Sequence, residues 1–231
     1  MSPVTTFIFD LSDVLIGGMG DLVTPLSRAL GLSEDRCYEL VNGQWLVELC
    51  CGEIDEDEYL RRILSCAAPE SPGIGYDEMK RLIRAGFHRQ VPGMEDMVRL
   101  LARRYQVVLL SDHAREWIAY IHDVHPFLSV IPQHFYSFEA GHSKRQGTAF
   151  ENLLKIVRRP PKCCLLVDDN PSNIERAKCH GIRGIVFQDV EQLLLQLPEY
   201  GVRLTPAEVL AIRGINPTSP SSSGVRGRIL R

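Results

Sequence analysis

No stretch of this 231-residue chain approaches the ~20 consecutive apolar residues that a membrane-spanning helix needs, so no membrane span is expected. Basic charge is not in excess either: 26 Lys and Arg face 29 Asp and Glu, for a formal net charge of -3. That balance offers no electrostatic footing for nucleic acid or an anionic membrane surface. The N-terminus enters an apolar run almost at once, without the basic segment and apolar core of a secretory leader. A cytoplasmic protein is therefore expected. None of the seven cysteines stands in a CxxC knuckle of the kind that holds zinc. Their odd number and the adjacent pairs Cys50-Cys51 and Cys163-Cys164 predict reduced thiols rather than a disulfide framework. Internal repeats are lacking. With 45% hydrophobic and 24% charged residues, the chain suits a globular protein with one sizeable core, or a core carrying an insertion.

What is present is a short apolar run, Thr6-Phe7-Ile8-Phe9, that stops abruptly at Asp10-Leu11-Ser12-Asp13. Such a run reads as a parallel strand buried on both faces. An acid at its carboxyl end then belongs in the crevice where open parallel sheets bind ligands. A second strand of the same design, Cys163 to Val167, ends in Asp168-Asp169-Asn170. If both strands share a sheet, Asp10, Asp168 and Asp169 converge and require a cation. Two unit charges 4 Å apart repel by about 4 kcal/mol at an effective dielectric of 20.

Between these strands the pattern changes character. Apolar residues at helical spacing predict helices over 25–32, 34–41, 55–66 and 77–88, with Ser33 as an N-cap and a loop over 69–75. No strand is expected there, so 17–89 reads as a small helical insertion. From Pro92-Gly93 a helix runs to about Arg104, and helices and strands then alternate. Strands are expected at 106–110, 135–138, 163–167 and 185–187. Helices are expected at 116–122, 150–157, 173–180 and 190–197. Such alternation means a doubly wound, Rossmann-like α/β sheet, formed by residues 1–16 and 90–213. Residues 214–231, rich in Ser, Pro, Gly and Arg, read as a flexible tail.

Four blocks each close a strand of this scheme: Asp10-Leu11-Ser12-Asp13, Ser111-Asp112, Lys144 after Gly141, and Asp168-Asp169. In order, spacing and strand context they resemble the haloacid dehalogenase-like (HAD) hydrolase superfamily. The resemblance covers roughly residues 4–200 and favours members with a small helical cap, such as sugar-1-phosphate phosphatases and the phosphatase domain of epoxide hydrolases. Gly52-Glu53-Ile54 and the block Asp168 to Ile174 resemble that subgroup most. The resemblance implies that Asp10 is a nucleophile forming an aspartyl-phosphate. It implies Mg²⁺ held by Asp10, Asp168, Asp169 and the carbonyl of Ser12. Ser111 would bind phosphoryl oxygens and Lys144 would balance charge. Asp112 and Trp45, where the cap overhangs, would touch a small-molecule phosphate substrate. A monomer or homodimer is expected.

Three positions depart from the family's pattern. Ser12 stands where a second Asp usually serves as general acid and base, Asp112 where Asn is common, and Arg145 where Pro follows the lysine. Asp13, one residue past Ser12, replaces the missing acid if the chain turns sharply there, with Asp112 as the second stand-in, although Asp13 reads first as a structural partner of the loop. Four readings follow: a Mg²⁺-dependent phosphomonoesterase, a prenyl or other lipid phosphate phosphatase, a metal-independent 2-haloacid dehalogenase, and a weakly catalytic homologue that binds a phosphorylated ligand. His122 and His125, spaced like a metal pair, read as a helix end before Pro126.

Overall fold

The computed structural model describes residues 2–67, 74–146 and 148–215. Most of the loop expected at 69–75 and the tail beyond residue 215 lie outside the described residues. Strand β1 (Thr6–Phe9) comes first, followed by a 3-10 turn (Met19–Leu22). Five helices then follow: α1 (Val23–Leu30), α2 (Glu34–Val41), α3 (Gln44–Cys50), α4 (Glu56–Ala67) and α5 (Tyr76–Gly86). The alternating half is α6 (Met94–Ala102), β2 (Gln106–Ser111), α7 (Arg115–Val124), β3 (Gln133–Tyr136) and a short α8 (Ser137–Ala140). It continues with α9 (Thr148–Val157), β4 (Cys164–Asp168), α10 (Pro171–Cys179), β5 (Arg183–Val186), α11 (Val190–Gln196) and α12 (Pro206–Ile212).

The five strands form one sheet in the order β3-β2-β1-β4-β5, and every pairing is parallel. This is the expected Rossmann-like α/β architecture. Alternation along the strands divides the core. Phe7, Phe9, Val107, Leu109, Leu165 and Val167 bury into one cluster, while Ile8, Val108, Leu110 and Leu166 bury on the other face against Phe150, Leu153 and Ile174. The first cluster runs on without a break into Leu26, Tyr59, Ile63, Met79 and Ile83 of the insert. Burial of apolar surface, at about 25 cal/mol per Å², thus couples the helical insert to the sheet.

Polar ties reinforce that coupling. Glu56 on α4 is 1% exposed yet fully partnered: its carboxylate meets Lys80 at 2.8 Å and Arg84 at 2.9 Å and accepts the Trp117 indole N–H of α7 at 3.0 Å. A buried carboxylate is tolerable only with partners of this kind. A second tie runs from the backbone N–H of His113 to Ser137 Oγ (3.0 Å), and from that hydroxyl to the Cys50 carbonyl (2.5 Å). The chain leaves the sheet and returns to it side by side, with an antiparallel bridge between Ile16 and Gln90. Gly17 N–H donates to Arg89 O at 2.7 Å and Val91 N–H to Leu15 O at 3.0 Å.

Several boundaries differ from the sequence reading. Helix α3, seven residues long, was not expected, nor was α12, whose Thr205 and Glu208 form a capping box with Pro206 in the first turn. Strand β3 begins two residues earlier than expected and ends at Tyr136. As an edge strand it tolerates the half-exposed Gln133 and His134, while Ser137 and Phe138 turn into α8. All seven cysteines carry free thiols. Among the described residues no helix is long and apolar enough to cross a membrane.

Candidate active site

The strand order reverses at β1, whose neighbours are β2 on one side and β4 on the other. Ligands of open α/β sheets bind beyond the carboxyl ends of strands at such a switch point. Register then decides which side chains meet there. Phe9 pairs with Val167 of β4, so Asp10 and Asp168 stand level on adjacent strands, and Asp10 N–H donates to Val167 O at 3.0 Å. Phe9 also pairs with Leu109 of β2, which puts Ser111 two residues beyond, on the other flank. The parallel pairing of these strands brings the separated sequence blocks to one edge.

Three carboxylate oxygens, one each from Asp10, Asp168 and Asp169, lie within 4.8 Å of one another. The Lys144 ammonium is inserted among them, 2.8 Å from Asp10 Oδ1 and 2.9 Å from Asp168 Oδ2. Asp10, Lys144 and Asp168 are all buried; Asp169 is exposed. Burial and the neighbouring Asp168 and Asp169 hold the Asp10 carboxyl above the usual range, against the opposing pull of Lys144. Burial, then Asp168 and Asp13, push Asp169 up to about 6. Burial alone would lower the Lys144 ammonium, but Asp10, Asp168 and Asp112 together hold it well above its ordinary value. One ammonium thus serves two buried carboxylates and a third beside them, which leaves the site short of positive charge.

The hydrogen bonds sort the acids by availability. Asp168 is engaged on both oxygens: Oδ1 accepts Asn170 N–H (2.9 Å) and Asn173 Nδ2 (3.0 Å), and Oδ2 accepts Lys144 (2.9 Å) and Asn173 Nδ2 (3.1 Å). On Asp10, Oδ1 accepts Leu11 N–H at 2.7 Å and faces Lys144, while Oδ2 has no hydrogen bond among the described residues. Asp10 Oδ2 and the exposed Asp169 are the acids with capacity to spare. An all-oxygen donor set short of positive charge fits Mg²⁺. Ser111 Oγ is buried with no partner among the described residues, an orphaned donor next to the cluster.

The remaining expected site residues divide. Ser12 is half-buried and its backbone bridges to Ile16, within the tight turn in which Leu11 O accepts Leu15 N–H (2.9 Å) and Ile16 N–H (3.1 Å). Asp13 sits at a positive φ of 58°. Its Oδ1 accepts Gly18 N–H at 3.1 Å and meets Arg89 at 3.2 Å, so its carboxylate binds the paired segments leading to and from the insert. Asp112 accepts the Lys144 backbone N–H on both oxygens, at 2.9 and 3.0 Å. Trp45 is half-buried against the apolar core. Its neighbours Leu46, Val47 and Cys50 line a small cavity with Asp112, Ser143 and Arg145. A larger groove of about 270 Å³ follows β3 and α9, with His134, Tyr136, Leu153 and Ile156 in its walls; Asp10 and Lys144 are not among its lining. His122 and His125 diverge: His122 bonds Tyr136 OH (2.8 Å) and His125 the Phe87 carbonyl (2.5 Å).

Asn173 was missed as a functional residue. It is buried and grips both oxygens of Asp168. The signal was present in the run Asp168-Asp169-Asn170-Pro171-Ser172-Asn173: Asn170 caps α10 by accepting Ser172 N–H, so the first helical turn faces Asn173 back toward the strand end.

No family model matches the chain. A 20% identical relative, aligned over 198 residues that span 86% of this chain and 78% of its own, is flavin mononucleotide hydrolase 1 of Arabidopsis thaliana, described as chloroplastic. Among solved structures, a protein assigned to the HAD-like hydrolases from Porphyromonas gingivalis superposes with a TM-score of 0.71 at 17% identity, covering 88% of this chain and all of that one. A HAD-family enzyme from Bacteroides thetaiotaomicron, solved with magnesium and inorganic phosphate, gives 0.65 at 18% identity over 81% of this chain and 96% of its own. The chain has the fold of the haloacid dehalogenase-like hydrolases.

Proposed function

We propose that the protein is a Mg²⁺-dependent phosphatase that hydrolyses a small-molecule phosphomonoester through an aspartyl-phosphate on Asp10. The observation that carries this reading is the Asp10–Lys144–Asp168–Asp169 cluster, with more negative than positive charge and an unpartnered Asp10 oxygen. Asp10 Oδ2 attacks phosphorus and the ester oxygen departs; water then cleaves the acyl phosphate and regenerates the carboxylate. Lys144 orients Asp10 and offsets the charge of the transferred group, and the Ser111 hydroxyl donates to a phosphoryl oxygen. Asp10, Asp169 and the Ser12 carbonyl would hold Mg²⁺, which when bound supplies charge neutralisation for the phosphoryl group. Asp168, both oxygens taken by Lys144, Asn170 and Asn173, holds Lys144 beside them instead of serving as the ligand the sequence suggested. Residues 17–89 act as a cap that excludes bulk water from the site. The magnesium-and-phosphate complex of the Bacteroides enzyme and the flavin mononucleotide hydrolase named above support this class of reaction. A dehalogenase needs no metal, so the paired Asp168 and Asp169 argue against that reading.

EDTA is expected to abolish phosphatase activity and Mg²⁺ to restore it, in a panel of sugar, nucleotide, flavin and prenyl phosphates. Activity indifferent to chelation would overturn the metal assignment. The raised Asp169 carboxyl adds a pH signature. A carboxyl held near 6 in the metal-free fold and near 4 when unfolded favours folding below pH 4. That contribution is lost as pH rises through about 6. Mg²⁺ must displace the proton, so its stabilisation of the fold should be small at pH 5 and larger at pH 7.5. A thermal shift independent of pH would argue against Asp169 as a ligand.

Ser12 sets a limit on turnover. A carboxyl two residues past the nucleophile could protonate the leaving oxygen and activate water, an effect typically worth about 10²–10⁴-fold; serine has too high a pKa to do so. Asp13 is committed to Gly18 and Arg89 and does not replace it. Substrates with good leaving groups should therefore be favoured. Ser12→Asp is expected to speed hydrolysis of alkyl phosphates more than that of activated aryl phosphates. An equal change in both, in a folded variant that still responds to Mg²⁺, would refute this limit.

A further inference from the structure

The cavity between helix α3 and the strand-end loops is walled on one side by Leu46, Val47 and Cys50 and on the other by Asp112, Ser143 and Arg145. Its volume is about 100 Å³. At roughly 30 Å³ per liquid water, that accommodates a fragment of only a few non-hydrogen atoms. It adjoins the reaction centre through Lys144, whose backbone N–H is held by Asp112 (2.9 and 3.0 Å) while its ammonium sits 2.8 Å from Asp10. Its lining residues flank the site in the chain, Asp112 next to Ser111 and Ser143 and Arg145 on either side of Lys144, and the charge of Lys144 reaches Cys50 on its wall.

The charges on the wall are specific. Arg145 is the cationic side chain of the lining. It is exposed, and among the described residues its guanidinium has no hydrogen-bond or ion-pair partner. Its charge reaches Asp112 and Cys50. Asp112 is already bonded through both oxygens to one backbone N–H, and each oxygen retains a lone pair for another donor. A planar guanidinium without a carboxylate partner matches a carboxylate in two-point geometry.

We propose that this cavity selects the leaving group, and that among alkyl phosphates, whose leaving groups are equally poor, the preferred substrate is the phosphate ester of a small hydroxy acid. Arg145 pairs with the carboxylate of that acid, Asp112 accepts a hydrogen bond from a hydroxyl, and Leu46 and Val47 cover its short carbon skeleton. The proposal rests on the phosphatase reading above and names the substrate class of that same site.

The test is a matched pair differing only at the feature in question: 3-phosphoglycerate carries a carboxylate where glycerol 3-phosphate carries a hydroxymethyl group. With the full chain and Mg²⁺, kcat/KM for the acid should exceed that for the polyol by about tenfold or more, the scale of one charge-assisted pair. Arg145→Ala and Arg145→Gln should each bring the ratio close to one, and Arg145→Lys should keep part of it. A wild-type ratio near one, or a preference that survives Arg145→Ala, would overturn the proposal. Binding separates its failure from failure of the hydrolase reading. If neither ester is turned over, thermal stabilisation by each, in wild type and Arg145→Ala with Mg²⁺ present, still reads the preference. Stronger protection by the acid that Arg145→Ala removes supports the cavity's selectivity; equal protection by both compounds refutes it.

Discussion

Asp10→Asn is expected to abolish turnover and at the same time to raise the melting temperature of the metal-free protein. The first effect follows from chemistry: an amide oxygen cannot form the acyl phosphate, and removal of a nucleophile costs on the order of 10⁴–10⁶ in rate. The second follows from the charge imbalance. Asp10 and Asp168 are both buried and share one ammonium, and burial with the neighbouring acids raises the Asp10 carboxyl. A carboxyl whose folded pKa lies above its unfolded value favours folding at low pH and loses that contribution as pH rises through the folded pKa. Asn carries no such penalty. The gain should therefore appear near pH 7.5 in EDTA, at about 1–2 kcal/mol or roughly 2–8 °C for a chain of this size, and vanish near pH 4. Mg²⁺ should narrow the difference by stabilising the wild type more. Melting curves with and without Mg²⁺ at the two pH values, alongside a phosphatase assay, measure all of this. A variant that keeps a hundredth of the activity, or melts lower than wild type at pH 7.5 in EDTA, would contradict the role assigned to Asp10.

The convergence behind that expectation was legible because it depends on strand ends alone. Once Thr6–Phe9 and Cys163 to Val167 are read as buried parallel strands of one sheet, Asp10 and Asp168 fall at one edge, and the structure has them level on adjacent strands. Helix α2 was legible to the residue because Ser33 caps it by accepting Arg36 N–H at 3.2 Å. Helix α3 was not. It is short, starts after an uncapped Gly43, and buries only Leu49 and Cys50 fully, since one side rests on the insert and another on α8. Its pattern answers to two neighbours and matches no single helical face. The partners of α3 are likewise tertiary: nothing in the spacing of Cys50, Asp112, Ser137 and Arg145 joins them. Asp13 shows the same limit. Its place beside Ser12 suggested a spare acid, and only the packing of Gly18 and Arg89 reveals its occupation. Residues on strand ends could be placed from pattern; those that bridge the insert and the sheet could not.

Lys144 offers the second large effect, and a test in which charge and position can be separated. Its backbone N–H is fixed by Asp112 whatever side chain it carries, so substitutions leave the loop anchored and remove only the ammonium. Lys144→Ala strips the cation from between Asp10 and Asp168. Breaking a buried pair in this way typically costs about 3–5 kcal/mol, or roughly 6–20 °C in melting temperature. Lost stabilisation of the transferred phosphoryl group adds about 10²–10³ in rate. Lys144→Met restores most of the volume without the charge and should be as inactive as Ala. Lys144→Arg keeps a charge but presents a planar fork where a compact ammonium sits, so it should retain more activity than Ala while falling below wild type. Because Mg²⁺ supplies positive charge nearby, high Mg²⁺ should recover part of the stability of Lys144→Met and little of its rate, since orientation of Asp10 is not restored. The order wild type, Arg, then Met and Ala together, in kcat, is the expected result. Near-wild-type rates for both Ala and Arg would return Lys144 to the standing of a loop lysine and leave the two buried carboxylates without an explanation.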